Sequence, residues 1–201
     1  MSRPKDPKLE QQRRVHIMAA VALCLSEGSH SSLTLDKVAK VAGVSKGMVT
    51  YYFKTKDRLI LESMQLFLEQ ELERLVGIVQ EDRPMRERIE RLLEAALPSR
   101  DEVCAEVAFQ TEVWSYAKQN PEAQEAMKTL YLRFREACRS MVDVGIAEGY
   151  VTAPDAHWLY LLIHALIDGV SFQIVFDEDL DVAEIRERIL HLIDTVFAKR
   201  P

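Results

Sequence analysis

Glycine and proline are scarce, at seven residues each in a chain of 201. That excludes a loop-rich all-β fold and a disordered chain. Cysteine is scarcer still. Cys24, Cys104 and Cys138 lie far apart and none belongs to a C-x-x-C pair, which excludes a disulfide framework or zinc ribbon and suits a reducing, cytoplasmic compartment. Long apolar runs are missing. The longest, Trp158–Ile167, is broken by His164 and is too short to span a bilayer, so no membrane association is expected. Met1–Gln12 has no apolar stretch of the kind a signal peptide carries. Also absent are G-x-G-x-x-G, G-x-x-x-x-G-K and H-E-x-x-H, and no nucleophile has an evident base. The chain therefore reads as a non-enzyme with no cofactor and no metal.

What is present is charge of unequal distribution. The net charge is −6, yet residues 1–60 hold 11 basic against 5 acidic side chains, while the remaining 141 hold 15 against 27. A front end of +6 on a body of −12 points to a polyanion-binding segment joined to a part that does not bind one.

Helical periodicity dominates the rest, and the spacing predicts about nine helices. Leu9–Glu27 places Val15, Met18, Ala22 and Leu25 on one face, and Gly28 stops it. Thr34 is a candidate N-cap for Leu35–Ala42, which Gly43 ends where a positive φ is cheap only without a Cβ. Ser45 caps a short Lys46–Tyr52 helix, and Thr55 caps a longer one from Lys56 to Gln80. Pro84–Leu97 and Asp101–Gln119 follow. Asn120–Pro121 opens a helix to Glu148, Pro154–Asp155 another to Phe176, and Val182–Phe197 is the last.

Two short helices joined by Gly43-Val44-Ser45 describe a helix-turn-helix over about residues 34–53. The second is short enough to lie in a DNA major groove and carries groups that meet nucleic acid. Lys46 can reach base acceptors or phosphate, Gly47 lets a backbone approach closely, and Thr50 offers a hydroxyl or methyl to a base edge. Tyr51 and Tyr52 can donate to phosphates, while Thr34 and Lys56 sit at helix openings that favour an anion. The bland alternative is that two amphipathic helices and a Tyr-Tyr-Phe run are only core. The N-terminal arm with Arg3, Lys5 and Lys8 either reaches a groove or stays solvated.

The run Thr34-Leu35-Asp36-Lys37-Val38-Ala39, Gly43-Val44-Ser45-Lys46-Gly47 and Tyr51-Tyr52-Phe53-Lys54-Thr55-Lys56-Asp57-Arg58-Leu59 resembles the DNA-binding domain of TetR-family repressors. More loosely, Ala108–Pro121 and Gly145–Gly169, with Trp114, Asn120-Pro121, Gly149 and Asp168-Gly169, resemble the BetI-like subgroup. The resemblance implies an all-α chain with a DNA-binding domain at 1–55 and a ligand-binding and dimerisation domain at 56–201. It implies a homodimeric, ligand-responsive repressor on a palindromic double-stranded DNA operator, released by a small-molecule effector. Carried over by motif, Lys46, Gly47, Thr50 and Tyr51 meet the groove, and Thr34, Ser45, Tyr52 and Lys56 the phosphates. Thr50 departs from the pattern, since that place is often aromatic in the family.

In the body, His157, Tyr160, His164, Asp168 and Ser171 follow steps of 3, 4, 4 and 3 and share one face of a mostly apolar helix. The readings open for that stripe are a solvent edge, a dimer seam, a His164–Asp168 pair, a pocket lining, or a metal site of His157, His164 and Asp168. Phe109, Gln110, Trp114, Tyr131 and Phe134 are core or pocket wall, and with His164 and Asp168 they form the candidate ligand site, suited to an apolar or cationic molecule. Trp158, Leu162, Ile185, Ile189, Leu192 and Val196 give two helices more apolar face than one subunit covers, which suggests a four-helix dimer interface. The rival function is a helical interaction or small-molecule-binding module without sequence-specific DNA binding.

Overall fold

A computed structural model describes residues 6–151 and 156–196, leaving aside the side chains of Ala156, His157, Leu159 and Val196. Among these residues the chain forms nine helices: α1 (Pro7–Ser26), α2 (Leu35–Val41), α3 (Lys46–Phe53), α4 (Lys56–Val79), α5 (Met85–Ala96), α6 (Arg100–Gln119), α7 (Pro121–Ala147), α8 (Ala156–Phe176) and α9 (Val182–Val196). The all-α expectation holds, with boundaries a residue or two from those the caps suggest. Arg3, Lys5, the Pro154–Asp155 start and Phe197 lie outside the described residues.

The helix starts are set locally. The Oγ1 of Thr34 accepts from Lys37 N at 3.1 Å, the Oγ of Ser45 from Met48 N at 3.2 Å, and the Oγ1 of Thr55 from Arg58 N at 3.1 Å. Asn120 Oδ1 accepts from the N–H groups of Glu122 and Ala123 at 3.0 and 3.1 Å, and Asp181 Oδ1 from Glu184 N at 2.8 Å. Each bond satisfies a helix-end donor that would otherwise lack a partner. Ser99 and Glu102 close a reciprocal box at the start of α6.

The chain divides into two compact units, residues 1–69 with 108–127 and residues 70–107 with 128–201. In the first, Ile17, Val21, Leu25, Leu33, Val38, Val49, Phe53, Leu59, Ile60 and Met64 form a core with Phe109, Val113, Tyr116 and Met127. The buried face of α1 takes in Met18 and Leu25, as the spacing predicts, together with Ile17, Val21 and Cys24, whereas Val15 and Ala22 are half-buried. Two overlapping stripes on α1 have helical spacing, and the core of this unit draws on both.

In the second unit, Met85, Ile89 and Leu93 of α5 pack with Val182, Ile189, Leu190 and Ile193 of α9. Arginines tie off its helix ends. Arg100 donates to the carbonyls of Ile174 at 2.5 Å, Asp177 at 2.9 Å and Leu180 at 2.6 Å, and Arg186 donates to those of Leu97 and Pro98 at 2.5 and 2.7 Å. At the end of α7, Gly149 (φ +73°) lets Tyr150 N reach Gly145 O at 2.9 Å. A Cβ on Gly145 would stand 2.9 Å from Val151 Cγ2, so any larger residue forces the Val151 side chain to shift.

Candidate nucleic-acid interface and effector site

The turn between α2 and α3 is built on Gly43 at φ +65°. Gly43 N bonds Lys40 O at 3.3 Å and Val44 N bonds Ala39 O at 2.9 Å. This double closure is the Schellman arrangement, and it fixes the exit angle from α2. Val49 and Phe53 bury one side of α3, at 0% and 1% exposure. The periodicity that buries them leaves Ser45, Lys46, Gly47, Thr50 and Tyr51 exposed on the other side, with Tyr52 half-buried.

Each side chain expected to meet DNA has a defined setting. Lys46 Nζ reaches Asp36 Oδ2 at 2.6 Å, with both side chains more than half exposed. Such a pair is worth under ~1 kcal/mol and yields to a stronger anion. A Cβ on Gly47 would meet only Ser45 Oγ, at 3.9 Å, so nothing in the protein fold demands glycine there. The rings of Tyr51 and Tyr52 meet edge to face at 5.1 Å, and Lys54 Nζ lies 5.5 Å from the Tyr51 ring centroid. Tyr52 O accepts from Arg14 Nη1 at 3.0 Å, and Arg14 also pairs with Glu62 and lies over the Phe53 ring. Lys56 Nζ donates to Ser31 O at 3.0 Å, and Thr34 and Ser45 are the caps described above. Lys54 was not singled out from the sequence. It sits between α3 and α4 at a positive φ of 63°, with its Nζ near the Tyr51 ring.

The seven candidate ligand-site residues fall in two groups. Phe109, Gln110 and Trp114 belong to the first unit, where Phe109 is 5% exposed and its ring centroid lies 4.7 Å from that of Phe67. Tyr131, Phe134, His164 and Asp168 belong to the second and come together there. The His164 ring centroid is 4.8 Å from Phe134 and 6.4 Å from Tyr131, and Nε2 is 3.7 Å from Asp168 Oδ1. Burial raises the Asp168 carboxyl above its ordinary range, opposed by His164. His157, the other end of that stripe, lies outside the described side chains. Sequence reading missed Glu106 of α6. Burial pushes its carboxyl up to about 7, helped by Glu71 and Asp168 and opposed by Arg74. A single glutamate on a helix gives no sign in sequence of what packs over it. Burial likewise raises the Cys138 thiol to about 11, which disfavours its thiolate. Among the described residues, no cluster of three or more His, Cys, Asp or Glu can hold a metal, and no helix is long and apolar enough to cross a membrane.

Of the apolar residues expected at an interface, Trp158, Leu162 and Leu192 stand 64%, 59% and 42% exposed. Ile185 is half-buried, Ile189 is buried in the second unit's own core, and Val196 lies outside the described side chains.

An exposed polar face on the second helix of a capped helix-turn-helix, in an all-α chain with a cationic N-terminus, defines a DNA-binding regulator. Residues 17–63 match bacterial regulatory proteins of the tetR family, and residues 84–198 match the C-terminal domain of BetI-type transcriptional repressors. The chain belongs to the TetR family, with a BetI-type C-terminal domain, and is a ligand-responsive DNA-binding transcriptional regulator. It is 26% identical over 181 residues to the HTH-type transcriptional regulator PksA of Bacillus subtilis, covering 83% of this chain and 80% of that protein. Its fold is shared with a transcriptional regulator from Saccharomonospora viridis solved in complex with choline, at TM-score 0.82 and 22% identity, over 94% of this chain and 100% of that one. The fold is also shared with FadR from Bacillus subtilis solved with stearoyl-CoA, at TM-score 0.73 and 19% identity, over 90% and 97% of the two chains.

Proposed function

We propose that the protein is a homodimeric repressor that binds an inverted-repeat operator through paired α3 helices and is released by a small cationic effector. The observation that carries the DNA reading is the exposed row of Lys46, Gly47, Thr50 and Tyr51 on a helix held by a side-chain cap and the Gly43 turn. Lys46, Thr50 and Tyr51 take base edges, and Thr34, Ser45, Tyr52 and Lys56 take phosphates. Reading both half-sites needs recognition helices about 34–36 Å apart. The apolar surface of Trp158, Leu162 and Leu192 supports pairing of two copies.

The effector class follows from Glu106 and Asp168. Two carboxylates that burial holds above their ordinary range gain from a cation, and the rings of Tyr131, Phe134 and His164 offer it π faces. The choline complex of the Saccharomonospora viridis protein is consistent with this choice. α4 and α6 each contribute residues to both units, so a ligand-dependent preference for one arrangement of these helices reaches the DNA-reading end. The effector must favour the non-binding state by its differential affinity.

Three measurements test the reading. Binding to random duplex DNA should fall steeply with salt, with a tighter mode on a selected inverted repeat. Sedimentation at micromolar concentration should give a dimer, and a monomer contradicts the pairing. Choline should bind and release DNA where the uncharged isostere 3,3-dimethylbutanol does not. Equal response to both removes the cationic effector.

A further inference from the structure

The loop between α1 and α2 closes on itself through one turn, in which Ser32 N and Leu33 N both bond Ser29 O at 3.1 Å. Gly28, Ser29, His30, Ser31 and Ser32 are followed by one buried anchor, Leu33 at 1% exposure. The serines bond chiefly to one another, Ser29 Oγ with Ser31 Oγ at 2.8 Å and Ser32 Oγ to Ser29 O at 2.9 Å. Two tethers arrive from elsewhere in the first unit. Lys56 Nζ donates to Ser31 O at 3.0 Å. Glu112 Oε2, on α6, accepts from the His30 backbone N–H at 2.7 Å and lies 2.8 Å from His30 Nδ1. The Glu112 and His30 side chains are 22% and 15% exposed, so these bonds are largely shielded from water.

The two tethers are not equivalent. Lys56 is assigned to a phosphate, and a lysine that turns to a phosphate gives up Ser31 O. Glu112 is assigned to no phosphate. One turn further along α6, the Tyr116 ring meets the His30 ring edge-on at 5.8 Å, and its hydroxyl donates to Asp57 O at 3.2 Å in the first turn of α4. The C-terminal half of α6 thus holds both the approach to Thr34 and the start of α4.

We propose that Glu112 is a positioning residue for DNA reading: by gripping His30 it fixes the segment that brings Thr34, and the helix-turn-helix behind it, to the duplex. The inference rests on the DNA-binding reading above. Its energetic basis is the population of a competent loop. If loss of Glu112 leaves the loop correctly placed one time in ten, apparent affinity falls about tenfold without any lost DNA contact.

The test uses the full-length chain and a duplex that the parent protein selects from a random pool, read by fluorescence anisotropy. Hydrogen exchange of the amides of residues 29–33 is followed in the DNA-free protein. Glu112→Ala should lower affinity about tenfold and speed exchange in the loop. Glu112→Gln should recover most of both, because its amide oxygen still accepts the His30 N–H. Affinity within twofold of the parent for Glu112→Ala overturns the proposal, as does a glutamine variant no better than alanine. Should Glu112→Ala fail to fold, His30→Ala decides: it keeps the backbone bond and loses the ring, so a partial loss of about threefold is expected and an unchanged affinity overturns the role. If the parent selects no duplex, the DNA-binding reading falls and takes this one with it. A parent that binds and variants that bind equally well sink only the role of Glu112.

Discussion

Replacing Glu106 with glutamine tests the charge state of the proposed effector site. The carboxyl moves from an ordinary value of 4.5 to about 7, first because it is buried and second because Glu71 and Asp168 oppose its charge. A folded state that holds a proton more tightly than the unfolded chain loses stability as pH rises between those two values. Each tenfold in proton affinity is about 1.4 kcal/mol, so the displacement bounds the cost of the ionised form at about 3 kcal/mol. Partial access of water at a half-buried site reduces this to about 2 kcal/mol. Glu106→Gln keeps the shape and removes the charge. At pH 8 the variant should be more stable than the parent by about 2 kcal/mol, or roughly 4–8 °C in Tm for a chain of this size. At pH 4 the two should nearly coincide, since Glu106 is then mostly neutral in both states. Urea unfolding at pH 4, 6 and 8, at fixed protomer concentration, measures the difference. The same variant should bind choline more weakly, because the counter-charge is gone. An equal pH dependence in parent and variant refutes the assignment of that charge to a buried site.

Other perturbations address the DNA-reading end and the fold. Lys46→Ala should weaken operator binding and relax discrimination at one base position, at a cost of about 1–3 kcal/mol, whereas Lys56→Ala should weaken all duplexes alike and flatten the salt slope by about one; salt titrations on matched and mismatched duplexes separate them. Gly47→Ala should fold with unchanged or slightly raised Tm, because its Cβ meets only Ser45 Oγ at 3.9 Å, yet bind the selected duplex at least about tenfold less well where the backbone must come close. Gly145→Ala should destabilise the chain by about 1–3 kcal/mol in urea, since the new Cβ starts 2.9 Å from Val151 Cγ2.

Much of the DNA-reading end is legible in the sequence because its determinants are local. Thr34, Ser45 and Thr55 each cap a helix through an N–H three residues on, and Gly43 supplies the one positive φ the turn requires. The placement of Lys46, Gly47, Thr50 and Tyr51 on the exposed side of α3 follows from burying Val49 and Phe53 four residues apart. The effector end is less legible. His164 and Asp168 share a stripe that the sequence displays, but their neighbours Phe134 and Tyr131 come from another helix, and Glu106 from a third.

Where helices begin and end, which face of α3 is polar, and that positive charge gathers at the front of an acidic chain are all readable from residue order. These depend on contacts within about one helical turn, or on charge summed along the chain. That the C-terminal half of α6 belongs with the helix-turn-helix, that Glu112 holds His30 across 82 positions, and that Glu106 sits among other acids emerge from packing alone. Burial and long-range pairing depend on how helices pack, and periodicity within one helix carries no record of its neighbour's identity.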